Sequence, residues 1–229
     1  VLKNPGTWLV AIVIFGAYGL YISQSYFTPF FTGVLGAALV FSAAMSNFRS
    51  YGMKVLGGPV GAFLANKLKS ASKLNAIALL ISFFFILYIS KMQPGMPNVL
   101  TLATILTMVL AFILMMAKGT MWATMEEAHI PRRLSGTAIA IITYLGFNLT
   151  EAVIPMLNGH WLDKYADNLS KAYDNFFLIC MVMALAGAVA AILIVVRDKK
   201  IKRMQVADGP VVEGISVEKV AEEPVIESE

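Results

Sequence analysis

Charge, sulfur and imidazole are what this 229-residue chain has least of. Charged residues make up 14%, against about a quarter in an ordinary soluble domain. A chain of this length could not shield an apolar fraction of 58% from water, which excludes a soluble enzyme. The same figures exclude a disordered protein, a coiled coil and a nucleic-acid module. The single cysteine, Cys180, excludes a disulfide framework and a paired metal-thiol motif. Its place in an apolar run reads as a small buried hydrophobe. The two histidines, His129 and His160, stand alone at the ends of apolar runs without ligand spacing, so no metal site is expected. No Asp falls inside an apolar run, so neither an aspartate pair nor a Ser/His pair for intramembrane proteolysis is at hand. No filter-like loop points to a channel. The chain reads as a non-enzyme with no cofactor. No cleavable leader is visible. The chain begins Val1-Leu2-Lys3, without Met, and reads as a fragment.

What is present is apolar sequence in long runs. The mean hydropathy is +0.73. Spanning a bilayer takes about 20 mostly apolar residues. Six stretches qualify: Thr7 to Phe31, Gly36 to Ala65, Leu74 to Met92, Val99 to Met125, Gly136 to Trp161 and Phe176 to Val196. Gln93-Pro94-Gly95-Met96-Pro97-Asn98 and Ile130-Pro131 cannot continue a helix and separate the runs. The runs lack the alternation of a membrane barrel. The expected fold is an all-α membrane protein of six transmembrane helices. An even number of spans puts both ends on one side. That side collects eleven Lys and Arg, from Lys3, Lys67, Lys69, Lys73, Arg132 and Arg133 to the Arg197–Arg203 cluster. The other side has three, Lys91, Lys164 and Lys171. Lys and Arg favour the cytoplasm, so both termini are expected there. The 1–203 region is the membrane domain. The 204–229 segment has a net charge of −6 and reads as an acidic, disordered cytoplasmic tail.

Polar residues are unevenly placed. The third and sixth runs are almost wholly apolar and can face lipid all round. The other four carry the polar groups. This every-third pattern points to two three-helix repeats of inverted topology. Charges inside a membrane are costly and usually functional. Arg49 and Glu151 lie near the middle of the second and fifth runs, Lys54 nearer the cytoplasm on the second, and Lys118 in the cytoplasmic half of the fourth. For Arg49 two readings stand: capture of an anion by its planar fork, or an ion pair with Glu151. Glu151 is a proton carrier, a ligand, or that ion-pair partner. Lys118 either snorkels to the interface or takes part in coupling or gating, as does Lys54. Tyr18, Tyr21, Gln24 and Ser25 recur at helical spacing on the first run, and Thr143, Tyr144, Asn148 and Glu151 on the fifth. Gly57-Gly58-Pro59-Val60-Gly61 would allow close helix approach.

From Leu2 to Arg203 the chain resembles the C-terminal half of a major facilitator superfamily transporter. Leu64, Ala65, Lys67 and Lys73 fit that family's signature loop, while Ala62, Asn66 and Lys69 replace two of its Gly and its Asp. Gly136-Thr137-Ala138, following Ile130-Pro131-Arg132-Arg133-Leu134-Ser135, looks like a helix start in bacterial nitrate/nitrite or sugar-phosphate permeases. The resemblance implies half of a twelve-helix fold. It further implies an N-terminal six-helix partner half, rocker-switch alternating access, and a gating role for Asn66 and Lys67. The expected function is then a secondary active transporter, a symporter or antiporter, in a bacterial inner membrane. Its solute is a small anion, bound by Arg49, Tyr18, Tyr21, Gln24, Glu151 and Asn148. The alternative is a membrane scaffold or sensor whose acidic tail binds a partner.

Overall fold

The computed structural model describes residues 1–207, which contain helices and connections and no strand. The acidic segment 208–229 lies outside the described residues, and with it most of the expected tail. Residues 204–207 continue the last helix rather than starting the tail.

Six helical rods follow one another: α1 (Pro5–Gly33), α2 (39–68), α3 (Ala71–Ile89), α4 (Val99–Glu127), α5 (Ser135–Lys164) and α6 (Leu169–Ala207). All but α2 are long and apolar enough to cross a membrane by length and composition. α2 is as long, but Arg49, Lys54 and Lys67 dilute its apolar character. Local chemistry sets the ends. Asn4 caps α1, its Oδ1 accepting from the Gly6 amide at 2.9 Å, and Pro5 opens the first turn. Lys69 ends α2 in the left-handed conformation, at φ 51°. Ser70 then caps α3 through its Oγ and the Lys73 amide.

Four of the rods are not continuous α-helices. α2 consists of Leu39–Asn47, a π turn at Phe48–Gly52, and Met53–Leu68. α5 consists of Ser135–Thr143, a π turn at Tyr144–Asn148, and Leu149–Lys164. Both rods divide into 9, 5 and 16 residues, with Pro59 and Pro155 at the same place in the third piece. α1 and α4 are each 29 residues long. Each is interrupted by a three-residue 3₁₀ turn, Gln24–Tyr26 and Met121–Ala123.

α1 lies at the centre, packed on α6, α4 and α5. Glycines set the closest approaches. A Cβ on Gly16 would stand 2.7 Å from the Met183 carbonyl oxygen and 3.0 Å from Gly187 Cα. The Gly57–Gly61 run meets α4 as expected: a Cβ on Gly61 would lie 2.8 Å from the Met116 backbone. Tyr26, Phe27, Phe30, Tyr173, Phe176 and Phe177 fill the far end of α1 and α6 with tilted and edge-to-face rings. Cys180 is buried.

One expectation is corrected here. α3 and α6 do not face lipid all round, because they pack extensively on each other. Leu74, Ala78, Leu79 and Ile86 of α3 are buried, as are Ala184, Ala188 and Ala191 of α6. Only the opposite faces, with Ile77, Phe84, Val182 and Val189, are exposed. Membrane helices associate through shape and small residues, so an apolar sequence does not mark a lipid face.

The first turn of α1 and the last turns of α6 share one end, since Arg197 Nη2 donates to Asn4 Oδ1 at 3.1 Å. Here His129 Nε2 meets Asp198 Oδ1 at 2.8 Å, and Lys202 Nζ reaches the other carboxylate oxygen at 2.7 Å. His129 therefore does not stand alone. Glu127 accepts from Ser70 Oγ at 2.7 Å and from the Ala71 amide at 2.5 Å, capping α3 from the end of α4.

Candidate functional site: an open polar face and a buried arginine

α1, α4 and α5 bring four of the expected residues together on an open face. Tyr18 Oη donates to Glu151 Oε1 at 2.5 Å. Lys118 Nζ sits 3.2 Å from the centre of the Tyr21 ring and 5.4 Å from that of Tyr18. The Lys118 ammonium is held against two aromatic faces. Lys54 is near enough to repel it. Among the described residues, no carboxylate lies within 4 Å of Lys118, Lys54 or Arg49.

Two aromatic residues that the sequence reading passed over belong to this face. The Phe147 ring lies 3.9 Å from the Tyr18 ring, centre to centre, and stacks on Trp122 at 5.7 Å with planes 15° apart. Trp122 also lines a groove of about 690 Å³ between the end of α4 and the start of α5, with Met125, Glu126, Ile130, Ser135 and Ile139. A continuous row of side chains thus runs from the groove through Trp122 and Phe147 to Tyr18, Glu151 and Lys118. The signal was the spacing of Phe147 and Glu151 on α5, one turn apart. It was hidden because both residues looked like ordinary membrane-helix composition or a lone charge.

Arg49 and Gln24 are elsewhere. Arg49 is 1% exposed and Gln24 3%. Arg49 Nη2 donates to the Gln24 backbone oxygen at 3.2 Å, and its guanidinium carbon lies 5.4 Å from the Phe27 ring centre. The Arg49–Glu151 ion pair does not form; Glu151 is bonded to Tyr18 instead. The expected Tyr18–Tyr21–Gln24–Ser25 stripe is divided. At 100° per residue Gln24 already falls about 120° around α1 from Tyr18, on a buried side of the helix. Ser25 is exposed and bonds to the Ile22 carbonyl. Asn148 is exposed in the π turn of α5. Asn66 and Lys67 are exposed on the last turn of α2.

No protein-family profile matches the chain. It is 28% identical over 183 residues to inner membrane protein YqcE of Escherichia coli, covering 79% of this chain and 42% of the relative. It is 28% identical over 209 residues to inner membrane protein YihN of the same organism, covering 90% and 48%. An uncharacterised protein of Mycoplasma pneumoniae is 24% identical over 174 residues, covering 70% and 78%. The chain spans about half the length of the two E. coli relatives. The resemblance to a C-terminal half of a major facilitator superfamily transporter is corrected by these findings. No family profile supports it, and the relatives' names carry a location without a permease activity. The apolar helices and these relatives support a multi-pass inner-membrane location.

Proposed function

We propose that the chain is part of a secondary active transporter that moves a small anionic solute by alternating access. One observation carries this reading. Among the described residues, the open face gathers Lys118, Lys54 and tyrosine hydroxyls with no carboxylate within 4 Å of either lysine. Exposed charges at membrane depth cost about 2.5–3.5 kcal/mol each if they meet lipid. They are accommodated where they border a water-filled cavity or another polar surface. An anion between Lys118 and the tyrosines would offset the clustered positive charge. Glu151, hydrogen-bonded to Tyr18 on the same face, is suited to carry a coupling proton.

In this proposal a further helical unit covers the open face. The need to keep Lys54, Asn148 and Glu151 out of lipid supports it, as does the greater length of the E. coli relatives. The equal division of α2 and α5, and the equal length of α1 and α4 with a 3₁₀ turn in each, support two three-helix repeats of inverted sense. Repeats of this kind let one bundle rock against another around a central site. Both termini face the cytoplasm on the eleven-to-three distribution of Lys and Arg.

The test is uptake by proteoliposomes of the complete protein across a panel of labelled anions. Lys118→Met is expected to reduce uptake at least 10-fold while the protein still folds. Glu151→Gln is expected to retain exchange but lose accumulation driven by a pH gradient. Unchanged uptake in Lys118→Met would refute the anion site, and unchanged pH-driven accumulation in Glu151→Gln would refute the coupling role.

A further inference from the structure

The seam between α1 and α6 carries two grooves that run into each other. One, of about 520 Å³, is lined by Trp8 and Leu9 of α1 and by Leu193, Val196, Arg197 and Lys200 of α6. The other, of about 470 Å³, continues from Leu9 and Leu193 past Ile12 and Val189 to Val182. Leu9 stands nine residues before Tyr18, half-way round α1 at about 100° per residue, so the seam lies away from the open face. The trough is apolar along its length and cationic at one end. That end is where the apolar run of α6 stops at Val196 and its basic residues begin. Trp8 lies there too, its Nε1 donating to the Leu2 carbonyl at 2.9 Å, as suits an indole at a membrane interface. Neither lining cation is neutralised. Among the described residues, no carboxylate lies within 4 Å of Arg197 or Lys200. Arg197 donates to the neutral Asn4 side chain, and Lys200 is exposed. Lys202, by contrast, is paired with Asp198. No acidic side chain lines either groove.

We propose that this trough holds an anionic phospholipid, with its phosphate at Arg197 and Lys200 and an acyl chain along Leu9, Ile12, Leu193 and Val189. Charge selects the class. A headgroup with a net negative charge satisfies both cations. A zwitterionic headgroup brings an ammonium as well, and the trough offers no carboxylate to receive it. Basic pockets between membrane helices at the interface recognise anionic headgroups in this way. Length agrees with the chemistry. Lys200 and Val189 are eleven residues apart on α6, about 16 Å at 1.5 Å per residue. That is roughly half of a hydrocarbon core of about 30 Å, the depth of one leaflet. The two unpaired cations set this seam apart from the other exposed apolar faces. The site does not depend on which solute the open face moves.

Native mass spectrometry of the complete protein in detergent, titrated with phosphatidylglycerol or with phosphatidylcholine of the same chains, tests the assignment. The first phosphatidylglycerol is expected to bind roughly 10-fold or more tightly than phosphatidylcholine. Lys200→Gln is expected to weaken it about 5-fold, the loss typical of one cation at a membrane surface. Lys200→Gln combined with Arg197→Gln should weaken it about 25-fold. Lys200 is exposed and has no ion-pair partner, so Lys200→Gln decides the matter even if the double variant fails to fold. Lys69→Gln removes an exposed lysine from the same end of the bundle but outside the trough, and should bind like the unaltered protein. Inorganic phosphate at constant ionic strength should not displace the lipid, because it has no chain to fill the trough. The assignment is overturned if no phosphatidylglycerol is retained, or if phosphatidylcholine matches it. It is also overturned if Lys200→Gln binds it unchanged, if Lys69→Gln weakens it as much as Lys200→Gln does, or if inorganic phosphate displaces it.

Discussion

The Tyr18–Glu151 contact rests on one hydroxyl. Tyr18→Phe keeps the ring against Phe147 and Tyr21, so the aromatic row is preserved. It removes only the donor to Glu151. The pair is exposed, so its loss should change stability by less than about 1 kcal/mol. If Glu151 carries the coupling proton, the same change should alter the pH dependence of uptake, because the Tyr18 hydroxyl no longer holds the carboxylate in place. Uptake by proteoliposomes over a pH series, with unfolding midpoints measured in parallel, checks both halves. A pH profile unchanged in Tyr18→Phe would detach Tyr18 from coupling. These residues were readable singly, since a charge or tyrosine in an apolar run stands out. Their grouping was not, because it depends on which faces of α1, α4 and α5 meet, and on α1 Gln24 lies about 120° around the helix from Tyr18.

At the scale of elements, the close α2–α4 contact gives a matched pair of substitutions with opposite signs. A side chain on Gly61 would press into the Met116 backbone at 2.8 Å, and the backbone cannot rotate aside. Gly61→Val should therefore destabilise the chain by about 1–3 kcal/mol. Three residues earlier, a Cβ on Gly58 meets nothing within 4 Å. Gly58→Ala should be neutral or stabilise by up to about 1 kcal/mol, through higher helix propensity. Unfolding of the two variants in the same detergent checks the difference; equal destabilisation by both would mean the contact is not where the α2–α4 packing puts it. The spacing of this glycine run announced a close contact, and five of the six helices lie within a few residues of the apolar runs, while α6 extends well beyond both ends of Phe176 to Val196. The packing partners of α3 and α6 were not announced. Ala184, Ala188 and Ala191 have the same hydropathy facing lipid as facing Leu79, and only their small size allows the contact.

Across the whole molecule, one end of the bundle is cross-linked by polar side chains. Asn4, Ser70, Glu127, His129, Arg197, Asp198 and Lys202 join the ends of α1, α3, α4 and α6. The opposite end is held by aromatic rings and the Tyr173 hydroxyl bond to the Tyr26 carbonyl. Lys3, Lys67, Lys69, Lys73 and the Arg197–Arg203 cluster surround the polar end, so the positive-inside rule predicts that it faces the cytoplasm. The single native cysteine makes this directly testable. Cys180 is 2% exposed, so an impermeant maleimide should barely label the parent chain in intact cells. Cysteine placed at Lys91 or Lys164 should label in intact cells whose outer membrane has been permeabilised. Cysteine placed at Lys3 or Lys73 should label only after the inner membrane is opened. The reverse pattern would invert the topology. Labelling of all four positions from one side would exclude the odd number of crossings expected between Lys73 and Lys91. Asp198→Asn in the same background weakens the bond to His129 and the ion pair to Lys202 together. If this end opens and closes in transport, a cysteine at Ile139 in the groove should label faster in that variant. An unchanged rate would show that the polar ties hold the helix ends without gating the groove.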